Sequence, residues 1–455
     1  MLKLILNADL TKIPELLFFL VLMLFPFLSY AIYTVTGMEP NFVLGFVCFL
    51  LFAYLILRIY KLGANLMVPN YLVIFGLFTV YTIFADIFIA KTFEQVDLVK
   101  YLYSNYFILS WVAFLIVENL TFNGKWIAFA EKVLYAVIVL AAVVITVQVF
   151  NPLFLFKNVD MLEGVSFERM ADYYTHNQNP NDQTGSTNRF LDGYRPSIYS
   201  YIDGISVGVD ALATFSILLA FKTRKRIKVV ILVIAAAVIS ILSSSRWIML
   251  NFVVIASQNI WTGKNVLLRL LKYLLYAVVS IVVILVLLQL SGFDVQKFID
   301  DRLLSDSAST RFLAFEVFGK VFHRSPILGT GGVDTLEVTR LLGGRSSQIH
   351  VGYLKLYYYY GIVGGTLFLG FLYALLYRLW KMAKISGYWG GFFAILAFAI
   401  ANLTLVKFHM FYHGLLLALL FSNHFFSIKT DNTVATARID KSVQNSGISN
   451  KILTE

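Results

Sequence analysis

Hydrophobic residues run through this chain in blocks of about twenty, separated by short polar breaks. An α-helix needs ~20 apolar residues to cross the hydrocarbon core of a bilayer, so each block predicts one span. Twelve are read from the pattern, over residues 16–36, 41–59, 69–90, 102–121, 126–150, 197–221, 228–243, 246–261, 268–291, 351–380, 388–405 and 407–427. Two interruptions are far longer than the rest, 151–196 and 292–350. The second lies between YLLYAVVSIVVILVLLQL (from Tyr273) and VGYLKLYYYYGIVGGTLFLGFLYALLYRLW (from Val351). The pattern therefore predicts an all-α polytopic membrane protein. Helices 1–5 fall in residues 1–150 and a first outer loop in 151–196. Helices 6–9 fall in 197–291, a second outer loop in 292–350, helices 10–12 in 351–427 and a polar, disordered tail in 428–455. The tightest joint is SSSR, Ser243 to Arg246. The first apolar run continues to about Thr36 with no small-residue cleavage pattern, so it reads as a span and not as a signal peptide.

Composition agrees. The chain is 59% hydrophobic and 14% charged, against about a quarter charged in soluble domains. The net charge of +11 needs no nucleic-acid partner, because membrane proteins concentrate Lys and Arg in their cytoplasmic loops. With the N-terminus inside, the inner loops hold Arg58, Lys61, Lys125, the run KTRKRIK (Lys222 to Lys228), Lys264, Arg269, Arg378, Lys381 and Lys384. Both termini then lie inside and both long loops outside. The one cysteine, Cys48, sits in an apolar run, which leaves the long loops without a disulfide.

The long loops hold the candidate chemistry. Together they carry eight Arg and three Lys, and Arg246 adds a ninth arginine at an outer turn. Arg suits planar, two-pronged contact with carboxylate or phosphate. Pairing with the many loop Asp and Glu is the plainer use of any one of them. Arg246 stands between two apolar blocks and must face a polar cavity, a partner or the headgroups. His350 is the last polar residue before the chain becomes apolar again, and histidine can exchange a proton near neutral pH. A bond to a loop carbonyl is its simpler role. His323 reads as a surface residue. His409 and His413 stand four apart without further local ligands for a metal. The tyrosines 357 to 360 cover every face of their helix and suit an interfacial belt. Asp86, Asp203 and Asp210 lie within or near spans. Phe312, Phe315, Phe318 and Phe322 recur at helical spacing and predict an amphipathic helix over 310–323, lying at the membrane surface and ended by SPILGTGG. There is no GxxxxGK[ST], no Asp-x-Asp and no Cys/His zinc pattern, which counts against nucleotide hydrolysis and metal-held nucleotide-sugar chemistry.

Taken in order, these stretches resemble a known family. A first outer loop ends in GYRPSIYSYIDGISVGVDAL, with Arg195. SSSRWIML follows at an outer turn, then STRFLAFEVF, which opens a loop helix with Arg311. SPILGTGG comes next, and then SSQIHVGYLKLYYYYGIVGG, with His350. The order is similar to that of the O-antigen polymerase and ligase superfamily, the Wzy-type polymerases and WaaL-type ligases of bacterial envelopes. The likeness covers about Arg195 to Gly365; Val351 stands where family members often carry Asn. It implies a metal-independent glycosyltransferase of the inner membrane, similar in fold to the GT-C class, with no cofactor. Its substrates would be undecaprenyl-diphosphate-linked oligosaccharides at the periplasmic face. A polymerase passes the growing glycan to the next lipid-linked repeat unit; a ligase passes it to lipid A core. By the same likeness His350 would be the base, Arg246, Arg311 and Arg195 would hold the diphosphate, and a Wzz-type chain-length copolymerase would be a partner. A polysaccharide or lipid-linked-oligosaccharide transporter is the reading from a different class.

Overall fold

The computed structural model describes residues 13–36, 40–62, 65–90, 105–120, 124–150, 209–221, 226–243, 246–261, 309–332, 336–342, 351–404 and 410–430, with isolated positions elsewhere. The first long outer loop, residue 350, and the tail beyond 430 lie outside the described residues. The described chain is helical, with no strand. In order the helices are α1 (Ile13–Thr36), α2 (Pro40–Leu62), α3 (Asn70–Phe84), α4 (Tyr106–Asn119), α5 (Gly124–Phe150), α6 (Asp210–Leu219), α7 (Arg226–Leu242), α8 (Arg246–Ala256), α9 (Ser309–Val321), α10 (Leu336–Leu341), α11 (Gly352–Ser386), α12 (Gly390–Ala401) and α13 (413–430). A π-helical turn, Ala85–Ile89, extends α3.

The helices are apolar on the outside as well as the inside. Along its whole length α3 exposes Val73, Leu77, Val80, Phe84 and Phe88, while Tyr71, Leu72, Phe75 and Phe78 are buried. A continuous exposed stripe of this kind belongs against lipid. Among the described residues four helices are long and apolar enough to cross a membrane: Val43–Lys61, Asn70–Ile89, Trp126–Gln148 and Gly352–Ser386. Shorter apolar helices, including Tyr106–Asn119, Asp210–Leu219 and Gly390–Ala401, pack among them. The expected span 268–291 lies largely outside the described residues. Its described positions Leu268, Leu271, Leu275, Val278, Val279, Val282 and Val286 are helical and exposed.

Aromatic rings fill the centre. Phe75 stacks on Phe371 at 4.2 Å between centroids, and Phe78 meets Phe368 at 5.2 Å, which seats α3 along α11. Cross-links between helices fix which ends lie together. At one end Glu118 accepts hydrogen bonds from the Tyr71 hydroxyl (2.7 Å) and from Arg378. Nearby, Asn119 both accepts from and donates to the Met67 backbone. The same end carries Lys61, Lys381 and Lys384. At the opposite end Tyr353 donates to the Ala399 carbonyl (2.6 Å), Gly414 donates to Asp210 (2.6 Å), and Met410 donates to the Ser110 hydroxyl (3.2 Å). The molecule thus has a basic end and an opposite end where α6, α8, α11 and α13 begin.

Helix α11 is opened at its third turn, at Gly361, before the basic half begins. Gly361 has φ 61° and ψ −167°, a region essentially closed to other residues. A regular helix would bond Ile362 N–H to Tyr358 and Val363 N–H to Tyr359. Instead Ile362 and Val363 donate to the Pro326 and Ile327 carbonyls (2.8 and 3.3 Å), while Thr330 and Gly331 donate to the Tyr358 and Tyr359 carbonyls (3.1 and 2.9 Å). The SPILGTGG segment is therefore inserted into the helix ladder, and every group freed by the break finds a partner. The insertion needs bare backbone: a Cβ on Gly361 would sit 2.7 Å from the Gly329 nitrogen. Gly361→Ala should lower the melting temperature of the detergent-solubilised protein, by strain worth ~1–3 kcal/mol before any clash. Gly370→Ala, on the same helix with only Ile74 near at 3.9 Å, should be neutral or stabilising by up to ~1 kcal/mol.

Candidate functional site

The described parts of the second long loop, 309–332 and 336–342, pack on the bundle at the end away from the basic residues. Within it α9 forms where 310–323 was expected, with a single tight turn, Phe322–Arg324, after it. Its buried face differs from the one the phenylalanine spacing suggests. Ala314, Val317 and Val321 pack with Val338, Leu342, Ile349, Val351 and Tyr358, while Phe312 and Phe315 are exposed and Phe318 stacks on Phe322 at 4.7 Å. The helix is apolar on two sides. Small aliphatic side chains allow the close approach to α10 and α11, and the bulky rings are left for the surroundings. Arg324 grips Glu337 with both guanidinium nitrogens, one at 2.6 Å, and so ties the end of α9 to α10. That arginine is engaged within the loop.

The candidate residues fall as follows. Arg195 and His350 lie outside the described residues. Arg311 is in the first turn of α9, half-buried, with its Nε enclosed. Ile349 and Val351, on either side of position 350, are buried in the same cluster that α9 enters. The structure thus brings the helix bearing Arg311 against the neighbours of position 350. Arg246 is the first residue of α8. Helix α8 runs antiparallel to α12: Gln258, just beyond its end, lies by Ser216, which donates to the Gly390 carbonyl at the start of α12 (2.7 Å). Its start therefore lies by the end of α12, where Tyr353 of α11 is also bonded. The backbone of Arg246 shares the end of the bundle with α9 and the start of α11. His323 is exposed.

Two buried polar groups of α11 and α6 carry more weight in the structure than in the sequence. Lys355 is 4% exposed, with its ammonium 4.7 Å from the Tyr359 ring centre. His413 pairs with Asp210, Nδ1 to Oδ2 at 3.4 Å, both 2% exposed, and its ring rests against Phe25 at 5.1 Å. The other Asp210 oxygen accepts the Gly414 N–H at 2.6 Å, closing the first turn of α13. His409 lies outside the described residues; the described charged partner of His413 is a carboxylate from a helix some two hundred positions earlier in the chain. No sequence spacing signals it. Among the described residues no group of three His, Cys, Asp or Glu side chains is gathered around one point.

Asp86 is half-buried on the π-helical turn. Its Oδ2 accepts from the Tyr101 hydroxyl at 2.7 Å, and that hydroxyl accepts from Asn105 Nδ2 at 2.9 Å. Asn105 in turn caps α4, accepting from Phe107 and Ile108 N–H. Burial and the neighbouring carboxylate push the Tyr101 phenol well above its ordinary range. Asp210→Ala should melt clearly below Asp210→Asn: alanine strands the Gly414 N–H, at a cost of ~1–3 kcal/mol, whereas the Asn carbonyl can still accept it. Equal melting temperatures for the two would remove the capping role.

No protein-family model matches the chain, and no curated protein matches it.

Proposed function

We propose that the chain is a Wzy-type polymerase of the bacterial cytoplasmic membrane, with roughly twelve spans in an arrangement similar to the GT-C class and its active face periplasmic. The observation that carries this reading is the folding of the long loop. Helix α9, with Arg311, packs against the residues flanking position 350, at the end of the bundle where α8 starts with Arg246. That end is opposite the basic one, as the positive-inside rule requires of an outward-facing site.

In this reading the donor is a glycan on undecaprenyl diphosphate, and the acceptor is a sugar hydroxyl of the next lipid-linked repeat unit. The acceptor oxygen forms a bond to the anomeric carbon as the bond to the diphosphate oxygen breaks. The hydroxyl proton passes to His350, acting as base. The leaving diphosphate keeps the electron pair, and Arg246 and Arg311, with Arg195 as a third, stabilise its charge at low dielectric. Exposed Phe312 and Phe315 offer the polyprenyl chain an apolar approach from the membrane. No metal or cofactor takes part in the proposed step, and a Wzz-type copolymerase would set polymer length. A transporter is the second reading. It draws on the opened helix α11, because discontinuous spans are a recurrent feature of transporter sites.

The test is a surface-polysaccharide gel from a deletion strain carrying wild type or the variants His350→Ala, Arg246→Ala and Arg311→Ala at matched membrane levels. A lost base or charge-stabilising donor costs ~10²–10⁴ in rate, so lipid core bearing one repeat and no ladder is expected from each. Core without any repeat, with polymer held on its carrier, would identify a ligase. Normal ladders from all three variants would overturn the site and favour transport.

A further inference from the structure

The inserted segment Ser325–Gly332 sits lower on the bundle than a loop joining two membrane spans needs to. One contact is with α11. The Pro326 carbonyl accepts the Ile362 N–H, and from Ile362 to Arg378, at the basic end, the helix rises only ~24 Å. Another contact is with α3. Tyr81 donates to the Leu328 carbonyl, and from Asn70 to Tyr81 the rise is ~17 Å. The hydrocarbon core of a bilayer is ~30 Å thick. Beyond Tyr81, α3 goes on exposing apolar side chains at Phe84 and Phe88. Gly331 lies beside that last stretch: a Cβ there would be 2.6 Å from the Ala85 carbonyl oxygen and 2.7 Å from the Ala90 nitrogen. The segment therefore runs alongside the apolar stripe of α3 and not above it.

Its backbone is fitted for such a depth. Away from water an unpaired carbonyl is costly, so irregular backbone persists there only when protein satisfies its polar groups. All five carbonyls from Ser325 to Gly329 are engaged. In chain order they accept from the Gly329 N–H (2.9 Å), the Ile362 N–H, the Val363 N–H, the Tyr81 hydroxyl and the Ser325 hydroxyl (2.7 Å). Thr330 and Gly331 donate to α11. These polar groups are turned into the protein, and the apolar side chains are not. Ile327 is 61% exposed and Leu328 is 42% exposed. Flanking them are exposed Ile362 and Val363 of α11, and Val80, Phe84 and Phe88 of α3. The Tyr81 ring, whose hydroxyl holds Leu328, lies 6.5 Å from the Phe84 ring, which lies 5.0 Å from Phe88. The exposed side of the segment thus continues the lipid-facing stripe of α3.

We propose that Ser325–Gly332 is a re-entrant segment. It dips into the half of the bilayer away from the basic end, and Ile327 and Leu328 lie against the acyl chains of the surrounding lipids. Continuity selects that occupant, because a protein partner covering the segment would also have to displace lipid from α3. The assignment requires a chain that crosses a membrane and does not depend on glycosyl transfer. Lipid packed on Ile327 and Leu328 touches the same segment that leads out of α9 through Phe322–Arg324.

The experiment is spin-label accessibility in the full-length protein, reconstituted into phosphatidylcholine liposomes. Cys48→Ala removes the native thiol. Single labels are attached through Ile327→Cys, Leu328→Cys, Val80→Cys and Glu316→Cys, and melting temperatures verify that each variant folds. Val80 is the lipid reference. Glu316, in its exposed pair with Lys320, is the water reference. Collision with oxygen, which concentrates in hydrocarbon, is compared with collision with a water-soluble nickel chelate. The labels at Ile327 and Leu328 should give an oxygen-to-nickel ratio several-fold above that at Glu316 and close to that at Val80. A ratio close to that at Glu316 would put the segment in water and overturn the proposal. Shielding from both reagents would also overturn it, since protein, a second copy of this chain included, would then cover the surface. Either labelled position decides the question if the other variant fails to fold.

Discussion

Four backbone hydrogen bonds between Ser325–Gly332 and the opened turn of α11 hold together the half of this molecule away from its basic end. Buried away from water, the freed groups of Tyr358, Tyr359, Ile362 and Val363 would each cost far more unpaired than an exposed group. The inserted segment satisfies all of them at once. It also fixes everything attached to it. The segment receives the Tyr81 hydroxyl on its Leu328 carbonyl (2.9 Å), which locks it to α3. On its other side it continues into α9, and so determines where Arg311 can be. Together with the apolar cluster of Ala314, Val317 and Val321, the insertion sets how α9 lies against α11.

The two ends of the bundle are built by different means. At the basic end the buried charges are paired: Glu118 with Arg378 and Tyr71, and Glu15 with Arg58 at 2.7 Å. Removing one partner of such a pair leaves a buried charge and costs ~3–5 kcal/mol, so this end is rigid by electrostatics. At the other end the polar groups are fewer and less fully matched. Asp86 keeps one oxygen without a partner among the described residues, and His413 meets Asp210 at 3.4 Å without good hydrogen-bond geometry. Paired charge is concentrated at one pole and incompletely matched polar groups at the other.

Much of this architecture is legible in the sequence because lipid enforces it. Long apolar runs place α1 to α5, and the SSSR turn between α7 and α8 is visible as the only polar break there. The loop helix is legible too, since four phenylalanines at helical spacing announce it. Its packing face is not, because periodicity finds apolar positions without saying which neighbour they meet; Ala314, Val317 and Val321 are too small to stand out. The break at Gly361 is hidden for another reason. GIVGG lies inside a long apolar run read as one span, and only the distant SPILGTGG shows why the ladder opens there. The Asp210–His413 pair and the close approach of Asp86 and Tyr360 to Gly332 are likewise products of tertiary approach between residues far apart in the chain. Of the proposed site, the residue types and their order could be read in advance; the burial of Lys355 and the tie of Asp86 to Tyr101 could not.

The link from Tyr81 to Leu328 joins residues 247 positions apart. At ~5–20 residues per second of synthesis, the far end of α3 waits on the order of ten to fifty seconds before its partner segment exists. During that interval the described partners of the Asp86 carboxylate are Tyr101 and, behind it, Asn105. The short chain of hydrogen bonds running from Asp86 to the cap of α4 is therefore complete within the first quarter of the nascent protein, and it lets a half-finished bundle sit in the bilayer until the inserted segment arrives.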